Sequence, residues 1–193
     1  MPPIVSAKES RDTVFLQSLA AHPISLSNAL TDFAPRINHL NLFHLMPEWH
    51  VPYADPKRKE KFFSNNHFIS SATRKNVYKG YGSDIPQFLN EQPKLYYQGS
   101  IHPEWCLLNV SPPDEHGYCS FGVDVTINIA ASKISKNVLA QISPKMPRAL
   151  WNCFIHAEGI DMLVEVDEPL PLYKSRGAWR GREENWWPFG RNY

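Results

Sequence analysis

Short apolar runs rich in β-branched and aromatic residues alternate with helical patterns along most of this chain. Six such runs predict strands, at residues 13–16, 40–46, 67–70, 105–110, 137–142 and 162–167. Strands separated by helical stretches of about 10–15 residues are typical of βαβ units, which build a parallel sheet. The order of the patterns therefore predicts an α/β fold with an open, mostly parallel sheet.

The helical patterns are expected to cover this sheet on both faces, as the two outer of three layers. They lie at residues 24–33, 56–63, 71–78, 85–90, 93–98 and 123–135. The first has the clearest periodicity, because Leu26, Leu30 and Phe33 share one face with Ala29. Ser71 is expected to cap the third. The 17 prolines fall mostly between these elements, which indicates a loop-rich domain over residues 1–173.

Composition argues against several classes of protein. The net charge of +1 at pH 7 supplies no overall field that would favour nucleic acid or an anionic membrane. No apolar run approaches the roughly 20 residues that span a bilayer, and residues 1–10 lack the apolar core of a signal peptide. Three scattered cysteines, Cys106, Cys119 and Cys153, do not suggest a disulfide framework. We therefore expect a protein of the reducing cytoplasm.

The stretch S-P-P-D-E-H-G-Y-C-S-F-G at residues 111–122 is the strongest candidate for a functional loop. Two prolines, an acid and a glycine break the chain directly after the predicted strand 105–110. Loops at the carboxyl ends of strands are where open α/β sheets bind their ligands. The position of this loop therefore predicts a ligand site.

Six sequence blocks, in order between residues 13 and 171, carry a family resemblance. They are P-Y-A-D-P at 52–56, the loop at 111–122, V-D-V-T at 123–126, A-Q-I-S-P-K-M-P-R at 140–148, F-I-H at 154–156 and V-E-V-D-E-P-L-P at 164–171. Together they resemble the N-terminal half of the acetyl-CoA hydrolase/transferase family, which includes 4-hydroxybutyrate and acetate CoA-transferases.

The resemblance implies two open α/β domains that move CoA between an acyl-CoA and a free carboxylic acid, or hydrolyse the thioester. In such enzymes a glutamate attacks the thioester and becomes a glutamyl-CoA thioester, which is covalent catalysis. The resemblance places that glutamate in a C-terminal domain, and no residue of this chain matches it. We therefore expect no catalytic residue here, and an inactive, truncated fragment when the chain acts alone.

The resemblance also implies where the N-terminal domain lines the ligand cleft. In the first strand–helix loop the matching residues are Gln17, Ser18, Ala20, Ala21 and Pro23, and in the second loop they are Ser111, Pro112, Pro113, His116 and Gly117. Small residues in the first loop would let a ligand approach the backbone. The implied ligand is coenzyme A, as a co-substrate and not a tightly bound cofactor, and the family is expected to be homo-oligomeric.

One departure from the family pattern falls just before the F-I-H block. The family usually has a glycine, an acid and a small residue there, where this chain has Trp151, Asn152 and Cys153. Replacing glycine with tryptophan changes both side-chain volume and backbone freedom. The geometry of the cleft is therefore expected to differ from that of the family.

Residues 174–193 form a different kind of sequence, rich in arginine and holding three of the six tryptophans. Back-translated with suitable codons and shifted by one base, residues 177–193 give E-V-E-K-K-I-G, the helix that leads into the family's catalytic domain. The favoured hypothesis is therefore an out-of-frame tail. Two alternatives remain: a nucleic-acid-binding tail of arginines and stacking rings, and a natural half-protein that pairs with a separate catalytic domain.

Several other polar residues can be interpreted in structural or in functional terms. His116 and Cys119 have the spacing of a metal pair, but two further ligands are missing, so no metal site is expected. Asp114 and Glu115 are interpreted as turn residues and not as an acid–base pair. The cations from Lys57 to Lys61 are interpreted as a solvated helix face. His156 is either a hydrogen-bonded core histidine or a ligand contact.

Overall fold

The computed structural model describes residues 12–47 and 51–172. The strands of this part are β1 (Asp12–Leu16), β2 (Leu40–His44), β3 (Phe62–Asn66), β4 (Gly82–Asp84), β5 (Trp105–Val110), β6 (Tyr118–Ser120), β7 (Asn137–Ile142), β8 (Phe154–His156) and β9 (Met162–Glu165). The helices are α1 (Ile24–Asp32), α2 (Arg74–Tyr78), α3 (Gln92–Tyr97) and α4 (Asn128–Ile134). The predicted tail at 174–193 lies outside the described residues.

Seven strands form one sheet in the order β4-β3-β2-β1-β5-β7-β9, and every neighbouring pair is parallel. The first described strand, β1, lies in the interior of this sheet. From β1 the chain builds the sheet outward to β4, then crosses over to place β5 on the other side of β1. The predicted open, parallel α/β sheet is confirmed.

The core has two parts because successive strand residues point to opposite faces of the sheet. Phe15 and Leu108 pack with α3 and α4 on one face, whereas Leu16 and Leu107 pack with α1 on the other. Buried apolar residues on both faces are what a parallel sheet covered by helices requires. The predicted three-layer arrangement is therefore confirmed.

Strand β9 forms one edge of the sheet. It pairs with β7, and Leu163 and Val164, on opposite faces, are both exposed. Within the described ranges no helix is long and apolar enough to cross a membrane.

The predictions for residues 56–70 were wrong. The expected helix is a short 3-10 turn at Pro56–Arg58, and the expected strand at 67–70 is replaced by β3 at Phe62–Asn66. The alternate residues Phe62, Ser64 and Asn66 are buried, as in an ordinary strand with one inward face. Two of these three inward side chains are polar, so the sequence does not alternate between apolar and polar residues. A pattern search for apolar alternation misses a strand whose inward side chains are polar.

The cations of this segment do not form a helix face. Arg58 lies 3.5 Å from Asp55, Lys59 lies over the ring of Tyr81, and Lys61 donates to the carbonyl of Ile37. Arg58, Lys59 and Lys61 therefore each have a partner from the protein.

Three helix predictions began too early. Residues 71–73 are a turn in which Ser70, not Ser71, accepts a hydrogen bond from the Ala72 N–H, and α2 begins at Arg74. The pattern at 85–90 gives only a 3-10 turn, and β4 precedes it. The helix predicted from residue 123 begins at Asn128, because Asp124 accepts hydrogen bonds from Thr126 and holds a loop there.

Candidate functional site

The two predicted site loops follow adjacent strands. Residues 17–23 leave the carboxyl end of β1, and residues 111–117 leave the carboxyl end of β5, its direct neighbour. The chain proceeds from β1 to one side of the sheet and later returns to the other, so these ends form a topological switch point. A crevice at such a point is where open α/β sheets bind ligands. The fold thus brings both predicted sets of residues to one edge.

Gln17 joins the two sides of this switch point. Its side-chain oxygen accepts a 2.7 Å bond from the Asn109 N–H, and its amide nitrogen donates to the carbonyls of Phe121 and Asp124, each at 3.2 Å. The side chain is fully buried. Gln17 therefore holds β1, β5 and the loop before α4 in register, and its contacts are internal.

Ser18 connects the same loop to β2. Its N–H donates to the carboxylate of Asp124 at 3.2 Å, and its hydroxyl accepts a 2.9 Å bond from the Leu45 N–H. Ser18 is fully buried, as are Ala21 and Pro23. Ala20 is the only one of the predicted residues in this loop that is half-buried.

The second loop has a buried base and an exposed tip. The hydroxyl of Ser111 accepts a hydrogen bond from the Ser120 N–H, whereas Pro112, Pro113 and His116 are exposed. His116 lies 3.6 Å from Glu115 at the surface. Among the described residues no three histidine, cysteine or acidic side chains are grouped so that they could hold a metal ion.

Gly117 has a backbone conformation that favours glycine. Its φ is +81°, and a Cβ added there would lie 2.8 Å from Nε2 of His156. That histidine is partly exposed; its Nε2 donates to the His116 carbonyl and its Nδ1 accepts from the Glu158 N–H. His156 is thus hydrogen-bonded within the protein, but it is not a core residue.

Arg148 organises the second loop, a role that the sequence did not reveal. One guanidinium nitrogen donates to Ser111 Oγ and to the carbonyls of Pro112 and Tyr118, at 3.0–3.2 Å, and the other lies 2.7 Å from the carboxylate of Asp114. The only signal for this role was its place in the matched block at 140–148. Planar, multiple donation of this kind is specific to arginine.

Asp114 is a turn residue, as predicted. Its Oδ1 accepts hydrogen bonds from the N–H groups of His116 and Tyr118, at 3.0 and 2.9 Å. These bonds, from Tyr118 first, and the charge of Arg148 hold the pKa of Asp114 below its usual value. The charged carboxylate therefore shapes the loop.

Asp124 is a second residue that was not predicted as part of the site. It is buried, and its carboxylate accepts hydrogen bonds from the Ser18 N–H and from both donors of Thr126. Burial raises its pKa, while the bonds from Thr126 and Ser18 oppose that shift. The sequence feature that could have pointed to Asp124 is its place in the V-D-V-T block at 123–126.

Three buried histidines lie near the carboxyl ends of β1, β2 and β3. Burial lowers the pKa of His22 and of His67 to about 4, and burial together with these two neighbours lowers the pKa of His44 to about 3. Nε2 of His44 lies 2.7 Å from Ser64 Oγ, and Nε2 of His67 lies 2.9 Å from the Tyr96 hydroxyl. All three imidazoles are therefore neutral at pH 7.

Trp151 has the backbone conformation of the glycine that the resemblance implies at its position. Its φ is +78°, and its side chain is 92% exposed. It follows Leu150, which is also exposed, in the segment between β7 and β8. A large residue in the left-handed region is strained, so the backbone at this position suits glycine better than tryptophan.

The family model for the acetyl-CoA hydrolase/transferase N-terminal domain matches residues 6–173. The 4-hydroxybutyrate coenzyme A transferase of Clostridium kluyveri is 32% identical over 166 residues, which are 86% of this chain and 39% of that protein. The chain spans 33% to 39% of the length of the curated relatives that it matches.

Solved structures show the same fold. RipA from Yersinia pestis matches with a TM-score of 0.76 at 24% identity, over 91% of this chain and 43% of that chain. A chain of the decarboxylase AibA/AibB matches with a TM-score of 0.58 at 12% identity, over 94% of this chain and 89% of its own length. From the family match and the fold together, the chain belongs to the acetyl-CoA hydrolase/transferase family, of which it carries the N-terminal domain.

Proposed function

We propose that this chain supplies the N-terminal half of a CoA-transferase or acetyl-CoA hydrolase, and that coenzyme A thioesters bind across its switch point. The observation that carries the proposal is the position of the two family-typical loops, which follow the adjacent strands β1 and β5. The half-buried Ala20 would admit the ligand to the backbone, and the exposed prolines of the second loop would line the other side.

Three of the carboxylates at this edge are engaged by the protein itself. Asp114, Asp124 and Glu168 each accept two or more hydrogen bonds from the protein. A nucleophilic carboxylate needs an oxygen free to reach the thioester carbon. We therefore propose that the chain positions the thioester and that a glutamate of a separate catalytic domain attacks it.

The test is a titration of the ¹⁵N-labelled chain with acetyl-CoA, followed by NMR. Amide shifts should concentrate in residues 17–23 and 111–122 and be absent from residues 34–40 at the opposite edge. Ala20→Val should weaken binding about tenfold by blocking the approach, whereas Ala29→Val, further along α1, should not. Absence of localised shifts, or hydrolysis of acetyl-CoA by the chain alone, would contradict the proposal.

A second candidate is a half-protein that docks a separately made catalytic domain. Large apolar side chains are exposed in the segments that follow the carboxyl ends of the sheet strands, at Phe68, Phe88, Tyr118, Val123, Val125, Leu150 and Trp151. In the AibA/AibB structure a chain of nearly this extent has the same fold. Exposed apolar surface of this kind marks interaction sites.

This candidate is tested by mixing the chain with the separately produced C-terminal part of the Clostridium kluyveri relative. Sedimentation analysis should show a one-to-one complex, and CoA transfer from acetyl-CoA to 4-hydroxybutyrate should appear only in the mixture. Replacing Leu150 and Phe88 with serine should weaken the complex, while replacing Tyr78, exposed at the opposite edge, should not. Lack of a complex would rule this candidate out.

A further inference from the structure

The two ends of the seven-stranded sheet carry opposite charge. Residues 157–172, which include the edge strand β9, hold five acids and no lysine or arginine. Residues 57–79, which lead into the other edge strand, β4, hold seven lysines and arginines and one acid. The whole chain has a net charge of only +1 at pH 7, so its opposite charges are present in nearly equal number but lie at different ends.

The acidic end is an open strand edge. Leu163 and Val164 of β9 are 43% and 39% exposed on opposite faces, and the exposed Glu165 follows them in the same strand. Lys145 forms an ion pair with Asp167 at 2.9 Å, whereas the other four acids have no lysine or arginine partner within the described residues. An exposed apolar edge strand pairs readily with another chain. The β9 edge is therefore a surface that a partner of positive charge would cover.

The basic end consists of α2 and the segment before β3. Helix α2 packs against β4, since a Cβ added to Gly82 would lie 3.6 Å from Val77 of this helix. Lys59 extends the same patch, because its ammonium group lies 4.9 Å from the centre of the Tyr81 ring, directly before β4. Three exposed cations in α2 or directly after it form no ion pair within the described part of the chain, namely Arg74, Lys75 and Lys79.

These two ends cannot neutralise each other within one molecule. Six strand spacings of about 4.8 Å, or roughly 29 Å in all, separate β9 from β4. Interactions between exposed charges are largely screened beyond about 8 Å at physiological ionic strength. Pairing of β9 with β9 of another copy would bring like charges together, which is unfavourable. The surface of this chain that complements β9 is therefore the basic end of a second copy.

We propose that the chain associates head to tail, with the acidic β9 edge of one copy against the basic β4 end of the next. All neighbouring strands of the sheet are parallel, so a translated copy beside β9 presents its β4 strand in the same direction. Opposite charges steer the approach, and the contact covers Leu163 and Val164. Because the contact joins two different surfaces, each added copy leaves a free end for another.

The test is sedimentation velocity of the full chain over a range of concentrations, in sodium chloride at about 20 mM and at about 300 mM. At low salt the average mass should rise with concentration beyond that of a dimer, and at high salt it should return to that of the monomer. Lys75→Glu with Lys79→Glu should weaken association about tenfold or more, and so should Glu158→Lys with Glu165→Lys. An equimolar mixture of these two variants should associate again, because each end then meets an end of opposite charge.

The matched control is Lys94→Glu with Lys133→Glu, at exposed positions of α3 and α4 on one face of the sheet. It makes the same change in net charge as the variant of the basic end and should associate like the parent chain. If circular dichroism shows that a glutamate variant does not fold, Lys75→Gln with Lys79→Gln takes its place. A chain that stays monomeric at low salt, or whose association grows with salt or survives both charge reversals, would overturn the inference.

Discussion

The Nε2 atom of His44 lies 2.7 Å from the Oγ atom of Ser64 on the neighbouring parallel strand, and both residues are buried. The pair replaces the apolar contact that would usually fill this position between β2 and β3. Because the imidazole is neutral in the fold, its contribution to stability depends on pH.

We expect the free energy of unfolding to fall as the pH drops from 7 to 5. His22, His44 and His67 have pKa values lowered to about 4, 3 and 4 in the fold, against 6.5 for an unperturbed histidine. Between these values the unfolded chain binds protons that the folded chain does not, so acid favours unfolding. The loss is about 2 kcal/mol for each histidine. Urea unfolding at pH 5, 6 and 7 measures it.

His44→Gln keeps a hydrogen-bonding partner for Ser64. It should reduce the pH-dependent loss of unfolding free energy by the contribution of one histidine. Gln98→Ala, at an exposed position that does not titrate, serves as the control and should leave the slope unchanged. A parent chain whose stability is the same at pH 5 and 7 would refute the assignment of neutral histidines.

Arg148→Lys should destabilise the chain by about 1–3 kcal/mol, because one ammonium group cannot replace the four contacts of the guanidinium. Hydrogen exchange should speed up at the Tyr118 and Ser120 amides, which close the loop. Arg74→Lys, on the exposed side of α2, should have no measurable effect. Unchanged exchange in Arg148→Lys would mean that the loop holds its shape without this residue.

Trp151→Gly should stabilise the chain by about 1 kcal/mol, since glycine adopts a φ of +78° without the strain of a side chain. The exposed indole makes little packing to lose. The adjacent Leu150→Gly is the control; its φ is not positive, so the same substitution should be neutral or mildly destabilising. Thermal unfolding of both variants decides the matter, and a lower melting temperature for Trp151→Gly would show that the indole packs in solution.

Gly117→Ala should cost more stability than Gly80→Ala. Both glycines have positive φ values, +81° and +75°, but the added Cβ meets His156 only at Gly117 and nothing within 4 Å at Gly80. In both variants the strain of an alanine at positive φ destabilises the fold by about 1 kcal/mol. Combining Gly117→Ala with His156→Ala should recover the difference, as measured by urea unfolding. Equal losses in the two single variants would exclude a steric role for His156.

The sequence predicted best those strands that are apolar on both faces. Strands β5 and β7 were predicted to the residue because their buried faces read as continuous apolar runs. Strand β3 was missed because the polar residues Ser64 and Asn66 occupy its inward positions. The hydrogen-bond partner of Ser64 is His44 of the neighbouring strand, which the local sequence of β3 does not show. Strands β6 and β8 were missed because three residues are too few to carry a periodic pattern.

The candidate site was predicted in its loops but not in the residues that hold them. The family resemblance implied cleft residues in the loops 17–23 and 111–117, and the topology places both loops at the switch point. The supporting roles of Arg148, Asp124 and Glu168 depend on partners distant in the sequence, such as Ser111, Ser18 and Ser25. No local pattern records contacts of that kind.

The position of β1 also has a consequence for synthesis on the ribosome. Val14 pairs with Leu42 on one side and with Trp105 on the other, so the inner strand of the sheet is made long before its second neighbour. Contacts between residues so far apart in the chain form slowly. Until β5 emerges, a nascent chain therefore presents one open apolar strand edge, which is the stage at which a chaperone would be most useful.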